Sequence, residues 1–541
     1  MSAVIDKAPE VSAPAQAGRH PVSAVLALAR FEARELLLKL PVFVFLLLYV
    51  GYTGWKLFSQ GGMDDYPVLH DVDRATQFGS VLLGIFVLLS VNVAVLRSRR
   101  DDTDRHFGTL VMEPWRRTLA HALSVVPIAA LTALLVAVQF GWAALQPGAV
   151  GHGSLAELAV GPLVMLLCGV VGVLTARVIP SVLGGPIVLV TGFAGFAVVV
   201  PFVTGPNPMH WLGWLHPVVF EDGLDPIPSE LLGRPAAWHA LYLAGLTVLL
   251  LCVALLLSGG RTRLLKAVTA VALAAMVGGI AGQSPSHEAA LTAARNKASH
   301  PPVESRSCMT DGRSTRCSTV RASHGPAPSS SCVTHGRSTY CSFPEWTGWR
   351  NDWARVVDRV QGLAGGEAQG ARLTIRQRIP VIYDLSSDSP IAPLHTPGEV
   401  TAGTRWGGNR VPEFAVAVAS VLVVGDEESV VGMCDARVVT IMWLALAAQD
   451  DPKAAFRNVR LDDSVDGSAA VLNATDSLSM SAEQTRIVRE LLERPRFSVT
   501  ARVKTHWAEL TSPKTSAARV AELLGVPAAK GADKEEAQCQ R

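Results

Sequence analysis

Charge is scarce in this chain. Only 17% of its 541 residues are Asp, Glu, Lys or Arg, against roughly a quarter in ordinary soluble domains. With 49% apolar residues and a mean hydropathy of +0.30, a plain water-soluble globule is excluded. Neither sign of charge dominates. The 48 basic and 46 acidic residues leave +2, so no basic field points to nucleic acid. Catalytic signatures are missing as well. His287-Glu288 opens like a zinc-protease pair, but Leu291 stands where the second histidine is needed. There is no G-x-S-x-G elbow. No G-x-x-x-x-G-K-[ST] loop is present to bind ATP. His335, His395 and His506 are scattered without metal-ligand spacing. No catalytic residue, metal site or cofactor is therefore expected.

What the chain does have is long apolar runs, crowded into residues 36–282. A span needs about 17–25 mostly apolar residues. Seven runs qualify: 41–58, 78–96, 119–145, 155–176, 184–204, 238–257 and 264–282. The first 23 residues, rich in Ala, Pro and Ser, read as a disordered tail. They lack a secretory signal's short core and cleavage site, so the first run is expected to stay as a start-transfer anchor. Residues 283–541 read as soluble. The expected fold class is an α-helical polytopic membrane bundle of about seven spans, followed by a soluble, mixed, mainly helical α+β domain.

Lys and Arg in short loops set orientation. An inside N-terminus puts Lys7, Arg19, Arg30, Arg34, Lys39, Arg97, Arg99, Arg100, Arg105, Arg116, Arg117, Arg177, Arg261, Arg263 and Lys266 in the cytoplasm. Only Lys56, Arg74 and Arg234 fall on the other side before the last run. Seven crossings from an inside start make residues 283–541 extracytoplasmic. Asn92, Gln139 and Cys168 are isolated within the spans, and no ionisable residue sits near a span centre. Ion-coupled transport normally needs such groups, so driving energy has to come from a partner.

Three further features lie outside the spans. Residues 24–40 place Leu26, Leu28, Phe31, Leu36 and Leu37 among Arg30, Glu32, Arg34, Glu35 and Lys39. That pattern fits an interfacial amphipathic helix facing lipid phosphates, or a cytoplasmic extension of the first span. Residues 206–238 form an outer loop with Trp211, Trp214 and Phe220, which suits a short surface or re-entrant helix. Residues 97–117 form a basic loop.

In this order, helix, basic loop and aromatic outer loop resemble the membrane subunit of type-2 ABC transporters, as found in actinobacterial exporters. The loop carries Arg97, Arg99, Arg100, then Gly108, Thr109, Leu110, Pro114, Arg116, Arg117 and Thr118. It is similar to the family's cytoplasmic coupling segment; the competing reading is an ordinary positive-inside loop. Ala29-Arg30-Phe31-Glu32 is similar to the start of the family's interfacial helix. The resemblance covers residues 24–258. It implies a permease that works with a separate cytoplasmic ABC ATPase, as a homodimer or beside a second permease, among membrane lipids. A seventh run and the whole of 283–541 depart from the family pattern.

The sharpest local signal lies in 283–342. Ser307-Cys308-Met-Thr-Asp-Gly-Arg-Ser-Thr-Arg-Cys317-Ser318 recurs as Ser331-Cys332-Val-Thr-His-Gly-Arg-Ser-Thr-Tyr-Cys341-Ser342. Each unit is C-x8-C around a Gly-Arg-Ser turn, a spacing that suits a hairpin and brings its ends to disulfide range. Zinc prefers closer pairs. Disulfides Cys308–Cys317 and Cys332–Cys341 are the expectation, with free thiols as the other reading.

The resulting division is a tail (1–23), a permease-like membrane domain (24–282), a linker with the two repeats (283–342) and an external domain (343–541). In the last, Trp346, Trp349, Trp353, Val356, Val357 and Val360 recur at helical spacing and read as core. Residues 373–385 read as a strand broken or at an edge near Pro380. Residues 412–424 and 431–449 read as buried helices. Ser481 with Gln484 reads as a helix start, and Gly525 as the end of a helix from 517. Two functions remain beside the exporter permease: a membrane-anchored sensor or interaction protein, and a membrane enzyme.

Overall fold

The computed structural model describes residues 21–58, 65–100, 112–203, 213, 215–218, 226–232, 235–283, 294, 298, 305–311, 314–320, 330–379, 391–461, 467–473, 475 and 477–527. Residues 1–20 of the expected tail, Gly108, Thr109, Trp211, Trp214, Phe220 and His287 lie outside these residues, while 21–23 are already helical.

Helix α1 (Pro21–Leu38) meets α2 (Leu40–Phe58) at a bend of 67°. Pro41 accounts for the break: it has no N–H to donate, and its ring crowds the residue before it. Next come α3 (Leu69–Ala75) and α4 (Gln77–Arg100), then α5 (Pro114–Leu123) and α6 (Val126–Ala144). α7 (Leu155–Val178), α8 (Gly184–Val203), α9 (Ala236–Leu257) and α10 (Arg263–Gln283) complete the bundle. Among the described residues, five stretches are long and apolar enough to cross a bilayer: Leu69–Arg97, Pro114–Ala144, Leu155–Val178, Ala236–Leu257 and Arg263–Gln283. The bent α1–α2 pair makes a sixth candidate. This is a multi-pass helical membrane protein.

Close helix contacts in this half depend on glycine. A Cβ at Gly172 of α7 would lie 2.6 Å from the Leu88 carbonyl oxygen of α4. One at Gly245 of α9 would lie 2.5 Å from the Met276 backbone nitrogen of α10. Small residues let backbones touch where apolar burial drives little association. The outer surface of the bundle is apolar, with Leu47, Leu48, Leu134, Val190, Phe193 and Val271 exposed, as lipid contact requires.

The basic segment is shorter than the sequence implies. Arg97, Arg99 and Arg100 form the last turn of α4, and Pro114, Arg116 and Arg117 form the first turn of α5. Pro at the first helical position loses nothing, because its missing N–H would have been unpaired there. The interfacial helix starts at Pro21, a few residues earlier than the hydropathy pattern implies.

In the C-terminal half, β1 (Ser305–Asp311) and β2 (Ser314–Val320) form a separate antiparallel hairpin. A four-stranded sheet has the order β3 (Ser331–His335), β4 (Ser338–Ser342), β5 (Thr374–Gln377), β6 (Glu399–Ala402). Its first pair is antiparallel and the other two are parallel. Two sequence expectations are corrected here. The second cysteine unit is not linker but part of the domain's sheet. β5 is not at an edge, because it pairs with β4 on one side and β6 on the other. The strand ends at Gln377, which agrees with the other reading, a broken strand; Pro380 itself lies outside the described residues.

Around the sheet lie α11 (Arg350–Leu363), α12 (Arg410–Val424) and α13 (Arg437–Ala447). α13 is buried from Val438 to Ala447. At 11 residues it is far below spanning length, and it forms the centre of the core. α14 (Pro452–Val459) leads into the antiparallel sheet β7 (Arg460–Leu461), β8 (Ala469–Leu472), β9 (Ser477–Met480). α15 (Ala482–Glu493), α16 (Arg496–Thr505) and α17 (Ala517–Leu524) close the domain. Ser481 and Gln484 form the expected capping box. Gly525, at φ 75°, ends α17 in the left-handed conformation that glycine adopts most readily. Trp346, Trp349 and Trp353 are buried core residues.

Candidate functional site

The bundle has two chemically different ends, and chain direction separates them. Gln77 at the start of α4 donates to Glu157 at the start of α7 (Nε2 to Oε2, 2.7 Å). α4 and α7 therefore run parallel, and both finish in arginine, at Arg97–Arg100 and Arg177.

At this arginine-rich end, α1, α4 and α5 converge. Val25 and Ala29 of α1 pack on Ala120 of α5, with Leu28, Leu119 and Leu123 around them. Lys39, at the α1–α2 bend, donates to the Ser90 carbonyl of α4 (2.8 Å). Arg97 lies 3.6 Å from Glu32 and 4.0 Å from Glu35. His121 of α5 lies 3.9 Å from the same Glu32 oxygen. Of the residues read as a coupling segment, Arg99 and Arg100 are exposed on the end of α4. Arg116 pairs with Glu113 (3.1 Å) and lies over the Trp115 ring. Arg117 donates to the Met112 carbonyl (3.1 Å). These two brace the start of α5. α5 is in turn tied to the end of α9 by a Thr118–Ser258 hydroxyl pair (2.8 Å). The interfacial helix and both ends of the basic segment thus form one surface.

At the other end sits the C-terminal domain, held by three separate connections of the bundle. From 65–75, the Tyr66 N–H donates to the Trp406 carbonyl, and Arg405 pairs with Asp65 at 3.0 Å. Arg410 reaches Asp65 at 3.6 Å. Burial raises the Asp65 pKa, against the lowering effect of Arg410 and Arg405. The His70 ring meets Trp346 edge-on at 5.1 Å, and its Nε2 bonds the Ile227 carbonyl (2.9 Å). From the α6–α7 turn, the Gly148 carbonyl accepts from Trp349 Nε1 at 2.7 Å. From 226–232, the Ser229 N–H donates to Glu345 (3.1 Å). Val68, Val150, Ile227 and Leu231 join the domain's own hydrophobic core. The sequence marks the tryptophans as core but not as the seat of the domain; the long sequence separation of their partners hides that role.

Polar groups between α3–α4 and α7 are buried and incompletely paired. Asp73 accepts from the Ser154 N–H through one oxygen (2.7 Å), while its other oxygen has no partner. Asn92 of α4 is buried with neither side-chain polar atom hydrogen-bonded. Gln139 is not isolated: it donates to Thr53 of α2 (2.7 Å).

Inside the domain, Arg378 and Glu427 are both buried. Glu427 accepts from the Leu394 N–H (3.0 Å) and from the Thr401 N–H and hydroxyl. Arg378 donates to the Ala392 carbonyl and the Thr401 hydroxyl. Burial pulls the Arg378 pKa down to about 10, with Glu427 opposing, and raises that of Glu427. These two residues fasten residues 391–402 to the core. His395 is held by Glu428. Among the described residues, no group of three or more His, Cys, Asp or Glu could hold a metal.

The sulfurs of Cys332 and Cys341 are bonded at 2.03 Å. Backbone register also sets Cys308 opposite Cys317. No protein-family model, curated protein or solved structure matches this chain.

Proposed function

We propose that this protein is the membrane permease subunit of an ABC-type export system. In this reading α2, α4, α6, α7, α8, α9 and α10 are seven spans, the N-terminus is cytoplasmic and the C-terminal domain lies outside. A separate ATPase docks at the arginine-rich end. The subunit works as a homodimer or beside a second permease, and the external domain receives cargo or controls its exit. One observation carries this reading: the amphipathic α1 and the two ends of the basic segment meet in one surface at the end away from the domain. An ordinary positive-inside loop needs charge but no such assembly.

The test is the Arg116→Glu/Arg117→Glu double variant, reconstituted with the candidate ATPase. Binding of the partner, or the coupling of its ATP hydrolysis to transport, should be lost while the bundle still inserts. Insertion is checked separately, because positive residues also set topology. A correctly inserted variant that binds its ATPase and transports normally would reduce the segment to a positive-inside loop.

A further inference from the structure

One acidic residue lies where α1 should be apolar. Val25, Ala29, Glu32 and Leu36 follow helical spacing, and all four are buried. Glu32 is 7% exposed, in the middle of the stripe that packs on the bundle. A buried charge is costly unless it is well paired, and a polar group inside an apolar seam fixes which alignment two helices adopt.

The pairing is unusual in its geometry. Glu32 Oε2 faces Arg97 at 3.6 Å and His121 at 3.9 Å, yet it accepts no hydrogen bond. Both approaches lie beyond hydrogen-bond length; the one to Arg97 is Coulombic, while that to His121 is a close approach of the ring, which is charged only if protonated. Arg437 and Asp435 in the soluble domain, by contrast, close to 2.7 Å. Arg97, in the last turn of α4, opens the basic segment, and His121 lies one turn beyond Arg117, just after it. A single carboxylate therefore faces both ends of that segment.

We propose that Glu32 is a positioning residue that registers α1 against both ends of the basic segment, so that displacing one displaces the other. Contacts this loose suit the role, since they set register without locking the helices into one bonded geometry. The inference rests on the proposed function only for its consequence, that a partner pushing on the basic segment also moves α1.

The experiment is hydrogen–deuterium exchange on the full chain in lipid nanodiscs, comparing wild type, Glu32→Leu, Arg97→Gln and the double variant. Leucine suits the buried stripe, so residues 21–38 should stay protected in Glu32→Leu. Residues 112–118 should nonetheless exchange about tenfold faster, because the carboxylate set between Arg97 and His121 is gone. Arg97→Gln should do the same. The double variant should be no faster than either single change, as for groups acting as one unit. If Glu32→Leu instead leaves 112–118 unchanged or better protected, Glu32 is only a tolerated buried charge and the proposal is overturned. Additive effects in the double variant overturn it too. Adding the candidate ATPase separates the two ideas. A coupled response of 21–38 and 112–118 without any ATPase binding would sink the permease reading and leave the role of Glu32 standing.

Discussion

Trp349 does more for this molecule than its burial implies. Trp349 is buried in the soluble domain, yet its indole N–H is spent on Gly148, a residue of the bundle. Trp349→Phe keeps most of the apolar volume and removes the donor, leaving the Gly148 carbonyl unpaired. The expected cost is about 1–2 kcal/mol. It should appear as a lower thermal midpoint of the full chain in detergent and as faster proteolytic release of the domain. Glu427 makes a pH prediction. Burial raises its pKa above 4.5, so the folded state holds this proton more tightly than the unfolded chain. Its contribution to stability is full below that unfolded value and is lost as pH rises through the raised one. The stability difference between wild type and Glu427→Gln should therefore vary with pH across that window and be flat above it, by urea titration of domain tryptophan fluorescence. A difference that does not vary with pH would mean that the carboxyl titrates normally. Neither role is visible in the sequence, because the partners of Trp349 and Glu427 come from distant segments.

The elements divide by how local their causes are. The capping box at Ser481, the glycine stop at Gly525 and the cysteine hairpin all depend on residues a few positions apart, and each was legible in the sequence. Ser481→Ala should cost about 1 kcal/mol. Cys332 and Cys341 close a short loop, so replacing both with Ser should cost about 2–3 kcal/mol, read as a lower unfolding midpoint of the sheet. The errors have a different origin. Pro380 marks residues 373–385 as a strand either broken or at an edge; the strand does stop at Gln377, and only its long-range partners β4 and β6 remove it from the edge. The basic segment looked like one loop because arginines mark both its ends, whereas those ends are helical and fastened to α1. Glu32 was on the page as a charged residue of an amphipathic helix. Its 25/29/32/36 spacing was the available signal that it points inward, and hydropathy alone does not register it.

At the scale of the whole molecule, three connections bear on topology. Residues 65–75, the turn at 148–154 and residues 226–232 follow the first, third and fifth apolar runs, and all three contact the C-terminal domain. The domain itself follows the seventh. In the proposed arrangement of seven crossings, connections after odd-numbered runs lie on one side of a bilayer, and this common contact agrees with it. An even count made by losing any run after the first would part the domain from at least one of the connections that hold it. Parity fixes which segments share a side, and the Lys/Arg asymmetry chooses which side that is. The two can be tested together with single cysteines at the exposed positions Lys514, His152, Arg99 and Arg263, in a background with Cys434 and Cys539 replaced by Ser. A membrane-impermeant maleimide on intact cells should label Lys514→Cys in the domain. After permeabilisation it should also label Arg99→Cys and Arg263→Cys. His152→Cys belongs with Lys514→Cys, although contact with the domain will slow its labelling. The reverse pattern, with the arginine positions labelled from outside, would invert the molecule and remove the cytoplasmic docking surface while keeping seven spans. Labelling of Lys514→Cys and Arg263→Cys from the same side would break the parity itself, because α10 alone separates them.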